Sequence, residues 1–185
     1  MNDKNNRWFP IGLAFFAGFP LNAHPGAFGC TRKYDIHTGI DLYGKPDQVV
    51  YNIRDGIVVK TGPFTGPQVG YPWWLNTDAV LVKDDEGMFL YGELKSDLKV
   101  GQVVKSGEII GKLTPVLPDH KYRPDIPGHS TTMLHLERYS LDYNIEDDWA
   151  AWFNRVERPH YLLDPTLDLI KILTDKRREY KLLTI

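Results

Sequence analysis

A single cysteine, Cys30, stands among the 185 residues. It cannot form an internal disulfide, so the fold rests on its hydrophobic core, with or without a metal. Charge of one sign is equally scarce. The 24 acidic and 22 basic residues leave a formal charge of −2, which gives no field to attract nucleic acid or an anionic membrane. Long apolar runs are missing too. The best, WFPIGLAFFAGFPL at residues 8–21, is interrupted by Pro10 and Pro20 and falls short of the ~20 residues of a membrane-spanning helix. It has no well-formed basic leader and no A-x-A site, so it reads as part of the fold and not as a signal peptide. No internal repeat and no linker divide the chain.

What is present suits one folded domain. Hydrophobic residues make up 42% and charged residues 25%, the balance of a globular protein. Short apolar pieces between turn residues read as β-strands. QVVYNIRDGIVVKTG (residues 48–62) reads as two strands joined in a hairpin at Asp55-Gly56. DAVLVKD and MFLYGEL read as a second pair around a DEG turn. LKVGQVVKSGEIIGKL, with Gly101, Gly107 and Gly111, reads as tight β-turns. PVLPDHKYRPDIPGHS (115–130) is a long Pro-rich loop, a length that in compact domains goes with function or mobility. TTMLHLERY is an alternating strand, with Met133, His135 and Glu137 on one face and Leu134, Leu136 and Arg138 on the other. After it the pattern turns helical. EDDWAAWFNRV has acids before an Ala/Trp run, and PTLDLIKILTDKRREYKLL has Pro165 at a first turn.

Two short motifs carry chemistry. HTGID sets His37 four residues before Asp41, so that both side chains can converge on one point from a strand end. MLHLE places His135 in the middle of a strand. Zinc accepts imidazole nitrogen and carboxylate oxygen, but each motif alone is commonplace: a surface His with a nearby Asp is the more frequent meaning of H-x-x-x-D.

In order, FGCTR, HTGIDLYG, RDGIVV, LYGEL, VGQVVKSGEIIG and HSTTMLHLE (residues 28–139) resemble the lysostaphin-type M23 zinc metallopeptidases. Their pattern runs FGxR, HxGiDl, dGxV, YxHL, VxxGqxVxxGqxIG and HLHFE. The resemblance implies an antiparallel β-sheet groove with β-sandwich character, followed by short C-terminal α-helices. The expected division is a zinc-binding β-domain over 1–140 and a helical extension over 141–185 packed on it. It also implies one Zn2+ held by His37, Asp41 and His135, with the fourth position left to a water that attacks the peptide bond. The implied substrate is the peptide part of bacterial peptidoglycan.

Two positions depart from the family pattern. Glu93 stands in LYGEL where the family has a histidine, and Met133 stands two residues before the last ligand where it has another. Methionine can neither donate a hydrogen bond nor move a proton. Glutamate can act as general base, and Glu93 is assigned that role. For the missing oxyanion donor the choices are His129 or His120 of the Pro-rich loop, Arg138, or zinc itself. Arg32 of FGCTR holds the ligand loop or touches substrate. Trp73 and Trp74 either pin the 63–76 loop or stack on substrate. Asp35 reads as a turn residue, Glu137 as a possible partner orienting His135, and His24 and His160 as surface residues. The alternative to an active enzyme is a catalytically impaired module that binds peptidoglycan or regulates. A lipoyl-type carrier lacks its lysine at a hairpin tip. Without a signal peptide, a wall-cutting enzyme made in the cytoplasm reaches the periplasm or cell wall by non-Sec delivery. It would do so as an antibacterial effector with an immunity protein and secretion partner, or as a phage lytic protein.

Overall fold

The computed structural model describes residues 7–13, 18–21, 24–33, 35–126, 129–149 and 157–182. The elements run β1 (Ile40–Tyr43), β2 (Val49–Tyr51), β3 (Gly56–Thr65), β4 (Thr77–Lys83), β5 (Met88–Lys95), β6 (Val103–Val104), β7 (Ile109–Leu113), β8 (Met133–Tyr139), β9 (Leu162–Leu163) and α1 (Thr166–Leu182). The strands form one sheet in the order β1-β8-β5-β4-β3-β6. β7 bridges β2 and β5, and β9 pairs with β8. Every pairing is antiparallel. No described helix is long and apolar enough to cross a membrane.

Alternation along β1 and β8 fixes what the sheet shows to each side. Ile40, Leu42, Leu134 and Leu136 point into the main core, together with Val80, Phe89 and Tyr91 of β4 and β5. Asp41, Tyr43, Met133, His135 and Glu137 therefore face the other way. Truncating a buried leucine costs about 2–5 kcal/mol, and a one-residue slip would turn aliphatic side chains out of the main core and carry charged ones into it. Packing thus pins the register that sets Asp41 opposite His135.

The Asp55-Gly56 signal does not close a hairpin. β3 pairs with β4 and β6, while β2 pairs with β7. The reason is Asn52, fully buried. Its amide donates to the carbonyls of Val104 and Lys105 at 3.3 Å, and its Oδ1 accepts from the Tyr91 hydroxyl at 3.0 Å. Asp55 accepts from the Ser106 backbone N–H at 2.9 Å and pairs with Lys105. The segment therefore ties two parts of the sheet together.

The helix read over EDDWAAWFNRV is not seen in its described part: residues 146–149 form turns and bends, and 150–156 lie outside the described residues. α1 begins just after Pro165, where Asp164 Oδ1 accepts from the Thr166 backbone N–H at 2.9 Å, a side-chain cap. Leu169 and Ile172 of α1 enter the main core. At the other end, Phe9 and Ile11 are in that core, and the Trp8 N–H donates to the Ile53 carbonyl at 2.9 Å.

Candidate metal centre

His37 lies just before β1, Asp41 within it, and His135 across from Asp41 on β8. All three are buried, at 3%, 4% and 6% exposure. His37 Nε2 is 3.0 Å from His135 Nδ1 and 3.1 Å from Asp41 Oδ1, and His135 Nδ1 is 3.0 Å from Asp41 Oδ1. One nitrogen of each ring and one carboxylate oxygen thus form a nearly equilateral triangle.

Hydrogen bonds behind the triangle settle which ring atoms face in. His37 Nδ1 is 2.9 Å from the Ala27 carbonyl. A carbonyl only accepts, so Nδ1 carries the proton and Nε2 presents its lone pair. His135 Nε2 is 2.9 Å from Glu137 Oε1, so it donates there and Nδ1 faces the triangle. Glu137, 1% exposed, also accepts from the hydroxyls of Thr38 and Tyr139. Asp41 Oδ2 accepts from Arg32 Nη2 at 2.9 Å, and Arg32 in turn donates to the Pro25 carbonyl at 3.0 and 2.7 Å. Three acceptor atoms are thus aimed at one point, each with its other side occupied. That arrangement repels itself unless a cation or a proton sits between them. A zinc ion takes such ligands at about 2.0–2.2 Å, and ring N–H groups anchored to a carboxylate and a carbonyl are how metal-binding histidines are commonly oriented. The donor set fits one zinc ion.

The charges agree. Burial holds His37 below its ordinary range, keeping it a neutral ligand. Burial pushes Asp41 up, but His37, His135 and Arg32 outweigh it and hold the carboxyl well below the usual range. Burial also opposes charge on His135, yet hydrogen bonds to Asp41 and Glu137 raise it to about 10. A metal taking that nitrogen displaces a proton. Gly39 completes the local logic of HTGID. A Cβ there would lie 2.4 Å from the Leu136 carbonyl and 2.9 Å from His135 Nε2, so only glycine lets β1 pass this close beneath the His135 ring.

Glu93 sits where β5 stops pairing with β8, at Gly92↔His135, and starts pairing with β7, at Leu94↔Leu113. It is a bulge residue with φ +66°, a conformation that costs a non-glycine residue about 1–3 kcal/mol. The residue is 8% exposed, and its Oε2 is buried without a hydrogen-bond partner among the described residues. Burial, then the Asp41 charge, raises its carboxyl to about 8. A left-handed φ and an orphan buried oxygen thus coincide in this one residue.

Two depressions of about 400 and 900 Å³ meet at this centre and share Arg32, Asp35, Tyr71, Trp74 and Glu93. The smaller is walled by Phe64 and Trp149, the larger by Tyr43, Met133 and His129. Together they make a groove crossing the triangle. Trp73 is 52% exposed on its rim, and Trp74 packs against Tyr71 at 5.3 Å and onto the Met133 cluster. His129 is half-buried against the Tyr43 ring, centroids 5.4 Å apart. His120 is exposed in a short 3-10 turn and lines neither depression. Arg138 points away over Phe89, 4.5 Å from its centroid. Neither is brought to the centre, since loop direction and strand face take them elsewhere. His24 is half-buried and packs edge-on against Tyr43 at 5.6 Å. Sequence reading did not foresee the anchoring roles of Ala27, Thr38 and Tyr139. Tyr139 alone had a visible signal, because it shares the alternating face of His135 and Glu137.

Residues 35–124 match the model of peptidase family M23. That segment holds His37, Asp41 and Glu93 and ends before His135. No curated protein matches the sequence. Among solved structures, the chain is similar to a zinc-containing peptidase from Vibrio cholerae, with 22% identity, a TM-score of 0.47, and coverage of 72% of this chain and 36% of that one. It is similar to lysostaphin in solution, with 21% identity, a TM-score of 0.47, and coverage of 90% and 50%. It is also similar to the lysostaphin catalytic domain from Staphylococcus simulans, with 21% identity, a TM-score of 0.46, and coverage of 89% and 93%. The chain spans between 36% and 50% of the first structures it matches.

Proposed function

Because the chain belongs, through residues 35–124, to peptidase family M23, we propose that it is a zinc-dependent endopeptidase that hydrolyses peptide bonds of bacterial peptidoglycan. The observation that carries this reading is the triangle of His37 Nε2, Asp41 Oδ1 and His135 Nδ1 at the floor of an open groove. Those three residues would hold the ion. Zinc, when bound, supplies the Lewis acidity that activates water near neutral pH and polarises the scissile carbonyl. Glu93 takes the proton from the attacking water and passes it to the leaving amine. Its raised carboxyl suits both halves of that task, since a base near the working pH both accepts and returns a proton. Glu137, with Thr38 and Tyr139, keeps His135 in the required tautomer. Arg32 holds Asp41 and so turns one oxygen inward. The Phe64, Tyr71, Trp74 and Trp149 rings offer flat walls for an extended chain.

One observation favours a second reading, a groove that binds or regulates without turnover. Met133 is buried with Tyr43 and Val116 at the position where the resemblance calls for a histidine. Purified, zinc-loaded protein incubated with peptidoglycan sacculi separates the two. The enzyme releases new free amino groups, loses the activity to a chelator and regains it with zinc. Tight binding to sacculi with no new amino groups would establish the second reading.

A further inference from the structure

We propose that Tyr43 is a catalytic residue whose phenol O–H hydrogen-bonds the carbonyl oxygen as it gains charge, the role for which Met133 has no donor; this rests on the peptidase reading above. Tyr43 is two residues after Asp41 on β1 and shares its face, while Ile40 and Leu42 point into the core. Across the strands it is paired with Met133. It lines the groove with Asp41, Glu93 and Met133 and is 6% exposed. A Cβ built on Gly26 would lie 3.0 Å from the Tyr43 hydroxyl oxygen and 3.0 Å from Asp41 Cβ. The hydroxyl therefore reaches to within twice 3.0 Å of Asp41 Cβ, beside the metal ligand. Among the described residues no group accepts from it. Its ring is held by His24 and His129, with centroids 5.6 and 5.4 Å away. The Nδ1 atoms of these histidines accept from the backbone N–H groups of Gly26 and Arg123. The pair accounts for a histidine at position 129 as a buttress and not as the donor itself. A phenol whose ring is fixed by its neighbours costs little reorganisation when charge develops, which is what makes such donors effective.

The step balances without another reactant. The water oxygen bonds to the carbonyl carbon, and the carbonyl π pair moves onto its oxygen, which accepts the Tyr43 O–H bond without taking the proton. The pair then returns, the C–N bond breaks, and the amine leaves with the proton that Glu93 collected from the water.

Tyr43→Phe keeps the ring and removes only the hydroxyl. In the full zinc-loaded chain we expect kcat on a cleaved peptide to fall about 10²-fold, the effect of losing one such donor. KM should stay within about twofold, the zinc content should stay unchanged, and affinity for a phosphinic peptide should fall with kcat. A kcat within about threefold of the parent overturns the inference, as does a fall that accompanies zinc loss. Should the parent hydrolyse nothing, the peptidase reading fails by itself. The phosphinic peptide then decides this inference alone: weaker binding by Tyr43→Phe supports the donor, and equal binding overturns it.

Discussion

His37→Ala is expected to leave a folded protein that holds no zinc after dialysis and has no hydrolytic activity above background. The replacement removes one of three inward-facing atoms and little else. Asp41 keeps its bond to Arg32 and His135 keeps its bond to Glu137, so no buried charge loses its last partner. The Ala27 carbonyl loses one hydrogen bond, worth about 0.5–1.5 kcal/mol, so against the metal-free parent the thermal midpoint should shift by only a few degrees. Loss of a mere supporting partner lowers metal affinity about 10–100-fold, and loss of a ligand must exceed that. Zinc determination on parent and variant, dialysed together, checks it. A variant that keeps one zinc per chain would place the ion elsewhere.

Glu93→Gln is expected to separate metal binding from turnover. The amide has the same size and cannot take a proton, so kcat should fall about 10²–10⁴-fold while zinc content holds. The same variant has a signature without metal. Burial raises the Glu93 carboxyl from its ordinary 4.5 to about 8, so the folded protein binds this proton more tightly than the unfolded chain. The stability it contributes is present below about pH 4.5 and is lost as pH rises through about 8. Chelated parent protein should therefore lose stability across that window, and Glu93→Gln should lose less. Thermal unfolding of both at several pH values measures it. Full kcat in the variant would remove Glu93 from the mechanism, leaving its strained φ and unpaired oxygen without a functional account.

The residues that were legible in the sequence are those whose neighbours repeat a pattern. HTGID and MLHLE announce a strand end and an alternating strand, and alternation puts His135 on one face with Met133 and Glu137, while the β1–β8 register, which brings Asp41 opposite it, is set by packing. The β4–β5 hairpin could be read around DEG for the same reason. What could not be read depends on distant partners. Asp55-Gly56 is a strong local turn signal, yet Asn52, Lys105 and Ser106, far apart in the chain, decide where β2 and β3 go. The bulge at Glu93 arises because β5 changes partners there, and a Glu with φ +66° leaves no mark in composition. Loop residues were hardest. His129 reaches the groove and His120 does not, though both lie in one Pro-rich loop. Tyr43 was within reach, since it continues the face of Asp41, but a tyrosine at a strand end is commonly a packing residue.

The proposed chemistry depends on where one metal ion binds. Anomalous diffraction from zinc-soaked crystals, measured on both sides of the zinc absorption edge, should show one strong site per chain, bonded to His37 Nε2, Asp41 Oδ1 and His135 Nδ1 with a free coordination position facing the groove. Full loading with no peak between these three atoms, or a peak bonded to other residues, would contradict it.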